Sequence, residues 1–316
     1  MKKRLLTGTI ILLIEAIFLW TVRYTPYAFD LFIGMLAIMG CVEIARTLER
    51  KKQLTNIIFI GAFPAILYIA MSLGIIGKRD WHYFILYFVV IIVALFLINF
   101  LYTIIFSKRT VVEKNKYNMT DVSNSKFALD KCMNSTFVML YPTLLFSSFF
   151  VINHFFDFSF IDKTGLVDPN MIVLFFLVFT FAVTIMTDTF AMLVGSFFGG
   201  PKLCPLISPN KTISGAFGGL FFGTLGGVLT YFLFNLNTVF SGMMTFCDIT
   251  YWHIILIGMI VSVVGQIGDI LASALKRSAR VKDYGTIFPG HGGVMDRVDG
   301  LIFNAFAVLI SMFILF

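Results

Sequence analysis

The sequence predicts an all-α polytopic membrane protein of about nine transmembrane helices, N-terminus cytoplasmic and C-terminus outside. Three observations lead there. Of 316 residues, 59% are hydrophobic, 38 are Phe and only 13% are charged, and one soluble core of this size cannot hide that much apolar area. Apolar runs near the roughly 20 residues that cross a bilayer recur between polar breaks. Lys and Arg crowd onto alternate loops, as the positive-inside rule requires.

The predicted spans are 5–22, 25–45, 54–76, 83–106, 136–156, 171–194, 215–234, 251–271 and 300–316. Met1, Lys2, Lys3 and Arg4 could open a signal peptide, but Glu15 interrupts the apolar run and no small-residue cleavage site follows, so the run reads as an uncleaved span. Thr25 and Pro26 leave space only for a tight turn, which makes the first two spans a helical hairpin. With the N-terminus inside, loops 1–4, 46–53, 107–135, 200–214 and 272–299 carry 20 of the 24 Lys and Arg, leaving Arg23, Lys78, Arg79 and Lys163 outside. Loop 107–135 mixes both charge signs, as a solvated or surface-lying segment does, and no chemistry is assigned to it. The chain divides into an N-terminal part, 1–135, of helices and this cytoplasmic loop, and a C-terminal part, 136–316, expected to be catalytic. Gly215, Gly219, Gly223 and Gly227 recur every fourth residue, a smooth face for close helix packing inside the protomer or across a homodimer. Cys41, Cys132, Cys204 and Cys247 have no CxxC spacing and read as small core residues.

Carboxylates within spans are costly and face a partner, a cavity or an ion. Asp30 and Glu43 lie near span ends, where reaching to the interface is the simpler reading, and Glu15 reads as a packing residue. Asp188 and Asp269 differ, because each precedes a polar inside loop. After Asp188 come Gly195, Gly199 and Gly200, then Lys202 and the segment Ser208, Pro209, Asn210, Lys211, Thr212, rich in donors suited to phosphate. Asp269, Ser273, Lys276, Arg277 and Arg280 fall on one face if the helix continues out of the membrane. The stretch from Lys282 to Gly293 then packs Pro289, Gly290, Gly292 and Gly293 around His291, a backbone able to turn N–H groups toward an anion. Asp296 and Asp299 follow at i, i+3 and can share one hard cation, with Arg297 between them. His82, His154 and His253 read as packed or interfacial. Together these residues fit metal-assisted phosphoryl chemistry on Mg²⁺ or a similar hard ion.

The run Ser273-x-Leu275-Lys276-Arg277, Lys282-Asp283-x-Gly285, His291-Gly292-Gly293-Val294-x-Asp296-Arg297-Val298-Asp299 resembles the phosphatidate cytidylyltransferase (CDP-diacylglycerol synthase) signature over 273–299. The resemblance implies transfer of a cytidylyl group from CTP to phosphatidic acid at the bilayer, with pyrophosphate released and Mg²⁺ essential, a second cation being compatible. It implies a homodimer and no nucleic-acid partner. By position, Asp269, Asp296 and Asp299 would be metal ligands and Asp188 a further ligand or outer group. Lys211, Lys276, Arg277, Lys282 and Arg297 would hold phosphates. Ser208, Thr212, Ser273, His291, Gly292 and Gly293 would supply neutral donors. Ser214 and Ala272 stand where family members commonly carry Glu, and Met192 where Tyr is common. A bacterial plasma membrane is expected, with the site facing the cytoplasm. Two other readings use the same residues: a CTP-dependent kinase of a lipid alcohol, and a secondary transporter whose acids couple ions to substrate.

Overall fold

Each of the nine predicted apolar runs forms one helix. The computed structural model describes residues 2–49, 55–76, 81–105, 123–158, 166–288 and 292–316. The helices are α1 (Lys2–Val22), α2 (Pro26–Glu49), α3 (Ile57–Ile76), α4 (Trp81–Ile105), α5 (Asn124–Asn153), α6 (Pro169–Phe198), α7 (Ile213–Asn235), α8 (Thr238–Phe246), α9 (Tyr251–Ser278) and α10 (Met295–Leu315). The short α8 matches no predicted span. Among the described residues, seven helices are long and apolar enough to cross a membrane, and the apolar stretches Gly8–Val22 and Ile57–Leu73 are shorter. The protein is therefore an all-α polytopic membrane protein.

Two departures from the sequence reading matter for the site. The loop 200–214 contains an antiparallel hairpin, β1 (Lys202–Cys204) and β2 (Ser208–Thr212), because Gly199 and Gly200 adopt left-handed φ of 61° and 101° and stop α6 there. Helices also outrun their apolar stretches. α5 begins at Asn124, capped by the Ser123 side chain, so Lys126, Asp130 and Lys131 are helical and not part of a loop. α9 reaches Ser278 and α10 begins at Met295, which carries site residues on rigid backbone.

Packing explains the phenylalanines. Phe146, Phe149, Phe150, Phe155, Phe175 and Phe176 are fully buried where α5 and α6 meet their neighbours. Elsewhere large side chains face outward, Trp252 at 74% exposure and Phe221 at 64%, as lipid permits and water does not. Between α3, α4 and α5, Asn56 donates to Asn99 (2.7 Å) and Thr103 (3.0 Å), a polar clasp within apolar surroundings.

α6 and α7 lie against each other along the glycine face. A Cβ at Gly215 would collide with the Ala191 carbonyl, at Gly223 with the Thr187 and Ser262 hydroxyls, and at Gly227 with Phe179. The glycines are thus used inside the protomer. Gly223→Ala is expected to destabilise by about 1–3 kcal/mol through overpacking, read as a lower thermal unfolding temperature in detergent; an unchanged transition would contradict this close approach.

Asp30 does not reach to the interface as the sequence reading had it. It is 6% exposed and its Oδ2 lies 2.8 Å from His154 Nε2, while Asp157 Oδ2 lies 2.7 Å from His154 Nδ1. Asn153 donates to Asp30 Oδ1 at 2.7 Å. Burying an acid is tolerated here because His154 and Asn153 each meet one of its oxygens. His154→Ala is expected to lower the thermal unfolding temperature in detergent, because it removes the partner shared by Asp30 and Asp157; an unchanged transition would refute the cluster's contribution.

Candidate active site

The C-terminal ends of α6 and α9, the N-terminal ends of α7 and α10, and the hairpin surround one cavity of about 780 Å³. Its polar lining includes Asp188, Lys202, Lys211, Asp269, Lys276 and Asp299, together with Thr212, Gln266, Asp296 and Arg297. Four carboxylates from three helices therefore meet at one end of the bundle. Each is delivered by a helix that continues past its apolar stretch.

Lysines currently balance the acids. Lys211 Nζ stands 2.6 Å from Asp269 Oδ2. Lys276 Nζ donates to Asp296 Oδ1 at 3.0 Å and to Asp299 Oδ2 at 3.4 Å, and lies 5.3 Å above the Tyr284 ring. The place between the i, i+3 pair, read from sequence as a cation site, is thus filled by an ammonium. Accordingly, among the described residues no three Asp, Glu, His or Cys side chains converge as metal ligands. The donor set still fits a hard ion, since the ligands facing the cavity are carboxylate oxygens and a bound cation could displace the lysines.

Asp296 is the most committed of the four. Its side chain is 2% exposed, and Oδ2 accepts the Tyr284 N–H at 2.8 Å and the Gly293 N–H at 3.0 Å. The glycine loop does turn N–H groups toward an anion, and that anion is the protein's own carboxylate. Gly292 holds φ 86° and bridges to Phe288, a conformation that favours glycine. Neither Gly292 nor Gly293 lines the cavity. Tyr284 donates its hydroxyl to the Ala272 carbonyl at 3.1 Å, and burial pushes its phenol well up, so it remains a donor.

Not all predicted residues converge. Lys276 faces the acids, whereas Arg277 donates to the carbonyls of Ile207 (3.3 Å) and Val281 (3.0 Å), because neighbours on a helix point about 100° apart. Arg280 lies beyond the helix at φ 52°, so the single basic face ends at Ser278. Ser208, Ser273 and Lys282 do not line the cavity, and Lys282 is exposed. Thr212 lines it while capping α7 through the Gly215 N–H at 3.1 Å. His291 lies outside the described residues. Ser214 hydrogen-bonds the Gly199 carbonyl, Ala272 is 0% exposed, and Met192 lines the cavity. Sequence reasoning missed Gln266 on the wall, and it misjudged Glu43, whose carboxylate is buried against the signature loop. The only signal for Glu43 was an acid near the end of an apolar run.

The cytidylyltransferase family model matches residues 2–315. The chain belongs to the cytidylyltransferase family. Among similar proteins, the chain is 43% identical over 137 residues to the phosphatidate cytidylyltransferase of Brucella abortus strain 2308, covering 43% of this chain and 46% of the relative. It is 40% identical over 132 residues to those of Staphylococcus haemolyticus strain JCSC1435 and Staphylococcus aureus strain COL, covering 41% of this chain and 46% of each relative. The matched part of the chain thus spans about half the length of these curated relatives.

Proposed function

We propose that this protein transfers the cytidylyl group of CTP to phosphatidic acid, giving CDP-diacylglycerol and pyrophosphate for phospholipid biosynthesis. One observation carries the reading: four carboxylates and the cations Lys202, Lys211, Lys276 and Arg297 gather on a single cavity at the end of membrane-length helices. The names of the similar proteins and the signature at 273–299 support the same substrates.

An oxygen of the lipid phosphate attacks the α-phosphorus of CTP. The bond from that phosphorus to the bridging oxygen breaks, and pyrophosphate leaves with the electron pair. The nucleophile is already anionic, so no side chain has to be activated, and positioning with charge neutralisation supplies the rate. Lys202, Lys211 and Arg297 bind phosphates, Thr212 and Asn210 offer neutral donors, and the lysines now paired with Asp269 and Asp299 turn to substrate. Mg²⁺ would be held by Asp269, Asp296 and Asp299 with Asp188 beside them, a second cation being accommodated by the same acids. When bound it withdraws charge from the polyphosphate.

The same reading has nine spans, a cytoplasmic N-terminus and an outer C-terminus in a bacterial plasma membrane. The 20 Lys and Arg in the segments assigned inside support it, and a site at headgroup depth lets soluble CTP meet a lipid phosphate. A homodimer belongs to this reading by resemblance, and cross-linking in membranes that finds monomer alone removes it.

The test uses purified protein, phosphatidic acid, Mg²⁺ and CTP labelled in the cytosine ring. Label entering the lipid phase with release of pyrophosphate is the expected result. Label remaining in water as CDP, formed with a lipid alcohol as acceptor, would overturn it in favour of a kinase.

A further inference from the structure

We infer that Glu43, on α2 in the N-terminal half, is a positioning residue: its carboxylate holds the start of α10 and so sets where Asp296, Arg297 and Asp299 stand. The inference rests on the proposed cytidylyl transfer for its kinetic consequence. Glu43 is 6% exposed and does not line the cavity, so it acts through the backbone it binds. The Val294 N–H donates to its Oε1 at 3.0 Å and the Met295 N–H to its Oε2 at 2.9 Å.

The first N–H groups of a helix find no partner within it, and an acid there also suits the helix dipole. α10 has Val294 at its cap, which offers no side-chain acceptor. Glu43 fills that role from 251 residues away. The loop is shaped around it: a Cβ at Gly285 or at Gly293 would collide with the Glu43 carboxylate. One turn further along α2, the Thr47 hydroxyl sits 2.8 Å from the Glu43 carbonyl and 2.9 Å from the Tyr284 carbonyl. One turn earlier, Gly40 lies against the Met295 side chain, where a Cβ would make ordinary contact with Sδ at 3.5 Å. Gly40, Glu43 and Thr47 share one helical face. Two buried acids thus divide the loop's donors, Asp296 taking those of Tyr284 and Gly293, Glu43 those of Val294 and Met295. Both oxygens of Glu43 must accept, which an amide cannot do because its NH₂ would face an N–H.

The test compares the full-length native chain with Glu43→Gln and Glu43→Asp in lipid nanodiscs. Hydrogen exchange is read on peptides covering 284–299 and on peptides from α6 and α7, beside kcat and KM for CTP. Glu43→Gln is expected to raise exchange in 284–299 alone and to lower kcat about 10- to 100-fold, the worth of hydrogen bonds to a charged group, with KM changing less. Glu43→Asp should regain part of both. Unchanged exchange in 284–299, or a rise spread evenly over all helices, would overturn the inference. If Glu43→Gln does not fold, Thr47→Val loosens the same face and should show a smaller rise in the same segment, and no rise there overturns it equally. Should the native chain transfer no cytidylyl group, the proposed function fails, while the exchange comparison alone still decides the role of Glu43.

Discussion

Asp299→Asn is expected to lower cytidylyl transfer by about 10²- to 10³-fold, the scale of removing one preorganised charge contact from a phosphoryl-type site. Asp299 is 9% exposed, lines the cavity, and accepts the Gly300 N–H through Oδ1 at 3.0 Å while Oδ2 faces Lys276. Asn keeps the volume and one of the two contacts, but its NH₂ then faces either Lys276 Nζ or the Gly300 N–H, so a modest drop in the thermal unfolding temperature should accompany the loss of turnover. What it removes is negative charge where a cation and a triphosphate have to be balanced. Transfer of labelled cytidine to lipid, with pyrophosphate release as a second signal, measures the loss. Turnover close to that of the native chain would remove Asp299 from the metal assignment. Asp296→Asn is a less selective probe, since its Oδ2 also gathers the Tyr284 and Gly293 N–H groups. It should lose activity and loosen the loop together.

Lys276→Met is expected to cost about 3–5 kcal/mol of stability in metal-free solution, because it strips the shared cation from two buried carboxylates. The side chains of Lys276, Asp296 and Asp299 are 12%, 2% and 13% exposed, so solvent can replace little of the lost balance. Met retains most of the aliphatic stem, which limits the packing loss. If these acids also hold Mg²⁺, the ion should raise the unfolding temperature of Lys276→Met more than that of the native chain, since it need not displace an ammonium. Thermal unfolding in detergent with and without Mg²⁺ reads both effects. Equal Mg²⁺ responses in the two proteins would count against a shared cation site, and an unchanged metal-free transition would show that the ion pairs contribute nothing.

Helix positions were legible because lipid imposes a length and an apolarity on anything that crosses it. Each of the nine runs found by that rule contains one helix of the structure. Helix ends were less legible, since α5, α6, α9 and α10 extend beyond the apolar stretches on capping and tertiary contacts that hydropathy does not see. Within the site, Asp188, Lys211, Asp269, Lys276, Asp296, Arg297 and Asp299 were found from residue type and spacing, and all line one cavity. Arg277 and Lys282 carried the same chemical type and do not line it. Residue type shows what a side chain can do, and not which way its backbone turns it.

The sequence by itself determined the solvent of this protein, the location of its helices and the kind of chemistry its polar residues carry, because those follow from composition and short-range spacing. Only the tertiary structure decided which acids are shared and which are spent. Asp296 and Glu43 look alike in sequence as acids near helix ends. In space each satisfies backbone donors of the same loop, one from beside it and one from 251 residues away. Hydrogen bonds and ion pairs act over a few ångströms, so their partners are set by how α2, α9 and α10 pack, and no local pattern records that.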